Sequence, residues 1–398
     1  MTPRKMPDIP LTRRRLLWLS ACAAAGPTVT SQVLAAATPA TGRPLVGAIR
    51  WDAWYAPGSD VTSAVERTLS SQRYRWRAPF FASHDDAGHV HLTAITQGLM
   101  DLEIAQAAYA GLDYWAFVAY PSTSEMTAPL RRYLASSRRN SLRFCMFTGL
   151  DGWGTAAKPA PMIDEHIALM ANEAYVRVQD RVKDNRPLYY LGFITEQLAT
   201  ERWGGVDGLR AGIEQFRARA TARGVGNPYI VLGVLPRDNA AFEARLGGDA
   251  AGAYTIADGR ATGDYGALVR ITEQGWQMQS RAGLPVVPTV MAGWDRRPRI
   301  EVPVPWEKTQ RPGVGLEHYF GAPEPAQLAK HLDDALAFVA RQPPDKQAPA
   351  VLIYAWNEND EGGWLVPTTP CDDGHLRAVH TALAPAATQP PPGCAWRD

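Results

Sequence analysis

The chain alternates between short apolar segments and stretches with helical periodicity, and it does so eight times. Each apolar segment is a near-continuous run, which is typical of a strand buried on both faces. Eight such units predict a closed (β/α)8 barrel of the α/β class, with parallel strands in a single domain. No Gly-x-Gly-x-x-Gly pattern follows the first strand, which argues against an open dinucleotide-binding sheet. The predicted strands are residues 45–51, 113–119, 142–148, 187–193, 229–235, 252–256, 285–291 and 350–355, with helical stretches at 61–69 or 99–109, 126–136, 163–182, 206–223, 240–246, 265–282 and 325–341.

The N-terminal residues have the pattern of an export signal. Residues 12–17 read Thr-Arg-Arg-Arg-Leu-Leu, a twin-arginine pattern, and a weakly apolar stretch too short to span a bilayer follows. Small residues at 33–37 supply a peptidase site, so we predict a signal peptide at residues 1–37, cleaved after Ala37. The mature protein is then periplasmic or secreted from a bacterium. Lipidation at Cys22 and a disordered extension remain as alternatives.

The mature chain would comprise a barrel domain at residues 38–387 and a Pro-rich C-terminal tail at residues 388–398. Cleavage removes five basic residues and one acidic residue, so the formal net charge falls from +1 to about −3. No basic surplus remains to attract nucleic acid or anionic lipid. We therefore expect no nucleic-acid partner, no membrane span and no cofactor, and we expect a monomer.

The cysteines fit an oxidising compartment. Cys371 and Cys394 flank the last helical segment and the tail, and we predict a disulfide between them, with two unpaired thiols as the alternative. Cys145 lies inside an apolar run, which indicates a buried free thiol. No Cys-x-x-Cys or paired His/Cys spacing is present, so we predict no metal site. His89 and His91 lie near two aspartates and indicate exposed surface, with metal binding as the alternative.

The last predicted strand ends in a dense cluster of polar and aromatic residues. Asn357, Glu358 and Glu361 follow it directly, between Trp356 and Trp364. Carboxylates at the carboxyl ends of barrel strands mark where (β/α)8 enzymes place their chemistry. Two glutamates three residues apart among tryptophans predict acid/base catalysis on a sugar, with Glu358 and Glu361 as the catalytic residues. The alternative is a polar turn in which the glycines provide tight geometry.

Polar and aromatic residues also follow other predicted strands, at the same end of the barrel. Apolar sugar faces stack on indole rings, while sugar hydroxyls bond to acids and amides, so we expect a carbohydrate substrate. Single residues have structural alternatives, since Asp52 could cap the next element and Trp54 or Trp294 could pack the barrel mouth. The predicted substrate-binding residues are Asp52, Trp54, Tyr55, Tyr120, Trp294, Asp295, Arg299, Trp356, Asn357, Asp360 and Trp364.

Two of these segments resemble a known family. Residues 354–362 read Tyr-Ala-Trp-Asn-Glu-Asn-Asp-Glu-Gly and resemble the Asn-Glu-Trp-(Gly/His)-Glu-Gly signature at the last strand of glycoside hydrolase family 99, the endo-α-1,2-mannosidases and mannanases. The related WbsX-like proteins of bacterial polysaccharide loci share that signature. Residues 293–299 read Gly-Trp-Asp-Arg-Arg-Pro-Arg and are similar to the Trp-Asp-Asn-x-Pro-Arg element of WbsX-like proteins on strand seven. The eight-strand pattern extends the resemblance over most of the mature chain.

The resemblance implies a retaining glycosidase. Glu361 would be the general acid that protonates the departing glycosidic oxygen, and Glu358 the base on the sugar's own 2-hydroxyl. That hydroxyl then attacks the anomeric carbon, and water opens the resulting 1,2-anhydro sugar with Glu361 as base. The chain departs from the signature at Asn359 and Asp360. These departures leave open the preference for mannose, and whether Asp360 shares the acid role.

Two other classes of function stay open. A non-catalytic carbohydrate-binding barrel would keep the tryptophans and tolerate the loss of either glutamate. A WbsX-like glycosyltransferase of polysaccharide biosynthesis fits export less well, because the periplasm lacks sugar nucleotides. No diphosphate cradle or Asp-x-Asp metal motif lies near a predicted strand end either. The sequence does not decide the sugar, its linkage, or endo against exo cleavage.

Overall fold

A computed structural model describes residues 42–180, 185–257, 259–384 and 390–395. The predicted signal peptide, Cys22 and both predicted domain boundaries, at 37/38 and 387/388, lie outside the described residues and stay predictions. Within the described ranges, no helix combines the length and the apolar character that crossing a membrane requires.

Eight parallel strands form the barrel, and the predicted fold class is confirmed. They are β1 Leu45–Arg50, β2 Tyr114–Val118, β3 Arg143–Gly149, β4 Asn185–Ile194, β5 Tyr229–Val234, β6 Ala250–Ala251, β7 Thr289–Met291 and β8 Ala350–Tyr354. Hydrogen-bonded neighbours follow the order β7-β8-β1-β2-β3-β4-β5-β6. The ring closes through the segment before β7, where the amide of Ala251 donates to the carbonyl of Pro285 (2.8 Å) and that of Val287 to the carbonyl of Ala251 (2.9 Å).

Two strands differ from the prediction by more than two residues at one end. The sixth lies at Ala250–Ala251 and not at residues 252–256, because only these two residues pair with β5. The seventh pairs with β8 only over Thr289–Met291. Pro285 and Pro288 have no N–H to donate, so the predicted strand at 285–291 is interrupted at its start. The helix predicted at 163–182 is also shorter. It spans Met162–Leu169, and a short strand, Arg177–Gln179, lies in the rest of the predicted range.

The helices lie between the strands along the chain, and several begin at a capping side chain. Thr96 accepts a hydrogen bond from the amide of Leu99 (3.1 Å), and Asp264 accepts one from the amide of Ala267 (2.8 Å). Such caps satisfy amides that have no partner within the helix. The helices are α1 Asp60–Leu69, α2 Gln97–Tyr109, α3 Ala128–Ala135, α4 Met162–Leu169, α5 Glu196–Trp203, α6 Val206–Ala222, α7 Ala240–Glu243, α8 Tyr265–Ser280, α9 Arg297–Glu301, α10 Pro325–Ala340 and α11 Gly374–Leu383.

Large side chains fill the interior of the barrel. Tyr114 of β2 and Tyr190 of β4 meet through their hydroxyls (2.7 Å), and the Tyr114 hydroxyl also donates to the carbonyl of Val351 (3.1 Å). A side chain at Gly47 of β1 would overlap the ring of Tyr114. The barrel is therefore a packed core, and ligands can reach only its ends.

A disulfide joins Cys371 to Cys394, as predicted, across a sequence separation of 23 residues. Gln106 of α2 donates to the carbonyl of Gly393 (2.7 Å), so the described part of the tail packs against the barrel's helical layer. Cys145 is a buried free thiol.

Candidate active site

The candidate site lies where β8 ends. The strand is wholly buried, and the chain continues into a two-residue hairpin, Asn357–Glu358 paired with Gly363–Trp364. A single 3-10 turn, Asn359–Glu361, connects the two. Gly362 ends this turn with a φ of +87°, which glycine adopts without steric cost. The compact turn fixes the backbone that carries both glutamates.

The loops after β7 and β8 meet at two glycines. A side chain at Gly293 would overlap the carbonyl oxygen of Gly362, and one at Gly362 would overlap the amide of Asp295. That amide donates to the carbonyl of Glu361 at 2.7 Å. The two motifs noted in the sequence are therefore joined backbone to backbone, and this contact needs glycine on both sides.

Glu358 is almost completely buried and has few cationic contacts. The hydroxyl of Tyr254 donates to its carboxyl group, and Nη2 of Arg299 lies 3.3 Å from its other oxygen. Burial raises the pKa of Glu358 well above its usual value, and the negative charges of Glu361 and Asp360 raise it further. Of the two glutamates, Glu358 is therefore the one whose surroundings favour the protonated form.

Glu361 has the opposite surroundings. Nη1 of Arg299 lies 2.5 Å and Nε of Arg296 3.0 Å from one of its oxygens, and the hydroxyl of Tyr354 donates to the other. Burial alone would raise the pKa of Glu361, but the two guanidinium groups and the hydroxyl outweigh it and hold the pKa below its usual value. The pKa values of the two neighbouring glutamates are thus shifted in opposite directions, as those of coupled carboxyls at catalytic sites are.

Arg299 is the common partner of the acidic cluster. Its Nε and Nη2 bind both oxygens of Asp360, at 2.7 and 3.0 Å, and Nη1 also contacts Glu307 at 3.2 Å. Asp360 is fully buried in this bidentate pair, so its carboxylate positions Arg299 and has no free oxygen turned to a ligand. Asp360, which lies where the family signature has Gly or His, is thus paired with Arg299.

Aromatic rings surround this charged cluster at the barrel mouth. The guanidinium of Arg299 lies 4.7 Å from the ring centre of Trp51 and 5.6 Å from that of Trp306. Trp51 donates through its indole N–H to the hydroxyl of Tyr120 (2.5 Å). Trp294 packs against Tyr354 and stays half-buried, and Trp306 is 37% exposed. Of the predicted residues, Tyr120 and Trp294 therefore keep surface that a sugar could contact.

Trp54, Tyr55 and Trp356 lie beneath the mouth, in the core. The Tyr55 hydroxyl (2.6 Å) and the Trp356 indole N–H (3.0 Å) both donate to Glu103 of α2, which is itself completely buried. Trp54 has no exposed surface. We omit these three from the proposed substrate contacts, because no part of their side chains faces solvent.

Asp52 and Asn357 connect the end of β1 to the candidate site. Asn357 binds the backbone of Trp51 through both ends of its amide (2.8 and 2.6 Å). Asp52 pairs with Arg50 at 2.8 Å. Burial raises the pKa of Asp52 to about 7, and Arg50 only partly offsets this. Both residues therefore support the catalytic turn from below.

Asp295 and Trp364 support it from the side. Asp295 accepts hydrogen bonds from Arg77 and from Arg297 (2.8 and 2.7 Å). Trp364 is buried between Trp76 and the ring of His375. Both side chains are occupied by protein contacts, so they position the loops after β7 and β8.

Several residues of the site were not predicted from the sequence. Tyr254 and Tyr354 bind the two glutamates. Tyr254 falls inside the predicted sixth strand, whereas in the structure it follows that strand, and Tyr354 lies inside an apolar run. Arg296 is within the strand-seven motif and could have been chosen by its position there. Trp306 and Glu307 come from the long irregular segment after α9, where no periodicity predicts a contact with the site. Their contribution depends on tertiary structure alone.

The carboxylates of this cluster have arginine partners. Among the described residues, no group of three or more His, Cys, Asp or Glu is arranged to hold a metal ion. His89 and His91 are exposed beside Asp85, at 2.9 and 3.3 Å.

Comparisons with known proteins identify the fold. No protein-family model matches the chain, and no curated protein matches it. Two solved structures of the glycoside hydrolase family 99 endo-α-mannosidase from Bacteroides thetaiotaomicron are similar. The complex with bis-tris-propane has a TM-score of 0.50 at 13% identity, and the other structure 0.48 at 12%. Each match covers 85% of this chain and 95% of the other.

A third solved structure, the endo-β-1,4-mannanase from Thermotoga petrophila, has a TM-score of 0.34 at 7% identity and covers 74% of this chain and 76% of its own. At such identities the likeness concerns the fold. The chain therefore has a (β/α)8 barrel of the kind found in the family 99 enzyme, and its activity has to be argued from the site.

Proposed function

We propose that the protein is an exported glycoside hydrolase that cleaves a polysaccharide or oligosaccharide with retention of configuration, using Glu358 and Glu361. The observation that carries the proposal is this buried pair at the carboxyl end of the barrel, in which the surroundings raise the pKa of Glu358 and lower that of Glu361. Glycoside hydrolysis needs one acid and one base of this kind within reach of the same bond.

The charge of the site suits the transition state. Glu358, Asp360, Glu361 and Glu307 surround Arg299 and Arg296, and with Glu358 protonated the group keeps one negative charge in excess. Positive charge develops on the sugar ring as the glycosidic bond breaks. A fixed negative surplus that is shielded from water stabilises that charge without reorganisation.

The contacts favour a specific distribution of roles. The family resemblance assigns the proton donor to Glu361 and the base to Glu358. The surroundings raise the pKa of Glu358 and lower that of Glu361, so we propose that Glu358 protonates the glycosidic oxygen and Glu361 accepts the proton of the sugar's 2-hydroxyl. The oxygen of that hydroxyl then forms a bond to the anomeric carbon as the bond to the leaving group breaks. Water then attacks the anomeric carbon of the 1,2-anhydro sugar and gives a proton to Glu358, while Glu361 returns its proton to the 2-oxygen as the bond between that oxygen and the anomeric carbon breaks, so both glutamates regain their initial states.

The substrate is placed by the mouth residues. Half-exposed Trp294, Tyr120 and Trp306 offer ring surface to apolar sugar faces. The similar family 99 structure is of an endo-α-mannosidase, so α-mannans are the first substrates to test, together with bacterial exopolysaccharides. The disulfide supports the proposed periplasmic or extracellular location, since such bonds persist in oxidising compartments.

The proposal is tested by incubating the purified protein with these polysaccharides and analysing the products by mass spectrometry. Glu358→Gln and Glu361→Gln should each lower turnover by about 10²-fold or more, the usual contribution of a general acid or base. Glu173→Gln, at an exposed surface ion pair, is the matched control and should leave turnover unchanged. Carbohydrate binding without hydrolysis by the wild-type protein would instead indicate a binding barrel.

An activated substrate separates the two roles. A dinitrophenyl glycoside of the sugar identified in the screen has a leaving group that needs no protonation. The variant that lost the acid should therefore cleave it at nearly the wild-type rate, while the variant that lost the base should not. We expect Glu358→Gln to keep this activity; if Glu361→Gln keeps it instead, the roles are those that the family resemblance implies.

A further inference from the structure

Phe193 has a backbone conformation that its side chain disfavours. It lies near the end of β4 with a φ of +53°, and among the described residues it is the one non-glycine with a positive φ. A bulky residue in this left-handed region costs on the order of 1–3 kcal/mol, and glycine or asparagine would fit it better. The identity of residue 193 is therefore not explained by local stability.

The strain coincides with an irregularity of the sheet. The ladder between β4 and β5 changes register between Leu191 and Ile194, at Gly192 and Phe193. A side chain at Gly192 would overlap the ring of Phe147, so the strand can bend here only with glycine. An irregularity of this kind at the end of a strand re-aims the next side chain.

The redirected ring is exposed, and it packs against the tyrosine that binds the candidate acid. Phe193 is 42% exposed, although it lies on a strand that is otherwise mostly buried. Its ring centre is 5.1 Å from that of Tyr254 and 6.0 Å from that of Phe147. Tyr254 is the residue whose hydroxyl donates to Glu358. One aromatic side chain thus separates Phe193 from the glutamate.

We propose that Phe193 is a sugar-stacking platform that binds the apolar face of a pyranose ring next to Glu358. This inference rests on the proposed function and adds a specificity-determining contact to it. The bulge and the left-handed backbone keep a flat apolar ring at the mouth, on the side opposite the loops after β7 and β8 in the strand order. The strain is retained because a residue that relaxed it would remove the ring.

The platform predicts that stability and binding change in opposite directions. Phe193→Asn and Phe193→Gly tolerate the left-handed backbone, so both variants should unfold at the same or a higher denaturant concentration than wild type. Both should bind oligosaccharide about tenfold more weakly, a change equivalent to roughly 1.4 kcal/mol. In hydrolysis, KM should rise by a similar factor with kcat changed less than threefold. Phe193→Trp keeps a ring at the site and should restore binding.

The experiment compares these three variants with wild type by chemical denaturation, steady-state kinetics and calorimetric titration with oligosaccharides from the screened polysaccharides. Lower stability with unchanged KM in Phe193→Asn would show a purely structural role and overturn the platform. A wild-type protein that binds but does not hydrolyse overturns the proposed function alone, and weaker binding by Phe193→Asn then still supports the platform. A protein that binds none of the carbohydrates overturns both.

Discussion

At the scale of single residues, Arg299 has the largest number of ionic partners in the candidate site. It is buried, binds both oxygens of Asp360, and contacts Glu358, Glu361 and Glu307. Removing one partner of a buried ion pair leaves an uncompensated charge, which costs far more than the pair itself contributes.

Arg299→Met should therefore lower the free energy of unfolding by about 3 to 5 kcal/mol. Denaturation in urea measures this, and Arg299→Met combined with Asp360→Asn should recover part of the loss, since the buried carboxylate is then neutral. Arg139→Met, at an exposed pair with Glu173, is the control and should cost about 1 kcal/mol or less. Equal losses in the two single variants would contradict the account of a buried charge cluster.

Glu243 is another buried acid, and Oε1 of its carboxyl group has no hydrogen-bond partner among the described residues. Burial raises its pKa to about 8 from an ordinary value of 4.5, so the folded protein holds it neutral at pH 7. Because the pKa is raised on folding, its contribution to stability is fully present below pH 4.5 and is lost as the pH rises through 8.

Glu243→Gln removes this pH dependence. The variant and the wild type should have similar melting temperatures at pH 4.5, and the variant should be the more stable by several degrees at pH 8.5, where the wild-type carboxylate would be ionised in the core. Thermal unfolding across this pH range measures the difference. A difference in melting temperature that does not change with pH would show that Glu243 stays ionised in the fold.

Some of the residues predicted for the site meet at the barrel mouth, and others are buried in the core. Glu358, Glu361 and Arg299 come together because two motifs lie on neighbouring strands, which spacing can predict. Trp54 and Tyr55 are buried by the segment that follows β1, and no local pattern distinguishes a buried aromatic residue from an exposed one. To predict Phe193 as a site residue, one would have to know the irregularity near the end of β4. To predict Tyr254, one would have to know the observed bounds of the sixth strand.

At the scale of elements, the junction between the loops after β7 and β8 positions the catalytic turn. Gly362→Ala would place a methyl group against the backbone of Asp295 in addition to the strain of a positive φ. We expect a loss of several kcal/mol in unfolding free energy and of hydrolysis. Gly58 has nearly the same φ, +82° against +87°, but open space around it. Gly58→Ala should therefore cost only the strain, about 1 kcal/mol.

Denaturant unfolding and turnover of both alanine variants measure this contrast. If both variants lost the same stability and turnover, Gly362 would be needed only for its backbone conformation. The close approach of the two loops would then not require glycine. The elements themselves follow from the sequence wherever an apolar run is uninterrupted. The predicted strand bounds were wrong at prolines and at the short sixth strand, because backbone pairing there depends on residues distant in the chain.

At the scale of the whole molecule, the order of strands was predictable because the alternation of strand and helix leaves few ways to bury eight apolar strands. The packing of the long segment after α9 against the barrel mouth was not predictable, since the sequence of that segment has no helix or strand pattern. The disulfide follows from two cysteines near the chain's end in an exported context, and it ties the described tail to the start of α11.

Breaking that disulfide should lower the stability of the molecule. Replacing Cys371 and Cys394 by serine releases a loop whose closure is worth about 2 to 4 kcal/mol. We expect a lower melting temperature at a fixed scan rate, and the same decrease in wild type treated with reductant. Reductant should have no further effect on the double variant, since Cys145 is a buried free thiol. An unchanged melting temperature would show that the tail does not contribute to stability.

The anomeric configuration of the first product tests the central claim most directly. Proton NMR of a polysaccharide digest, recorded before mutarotation, reports whether the bond is cleaved with retention. The pair of Glu358 and Glu361, with a 1,2-anhydro sugar between two displacements, predicts a first product that has the configuration of the substrate, and turnover lowered by about 10²-fold or more in either glutamine variant. A product of inverted configuration, or hydrolysis at the wild-type rate in both variants, would contradict the account.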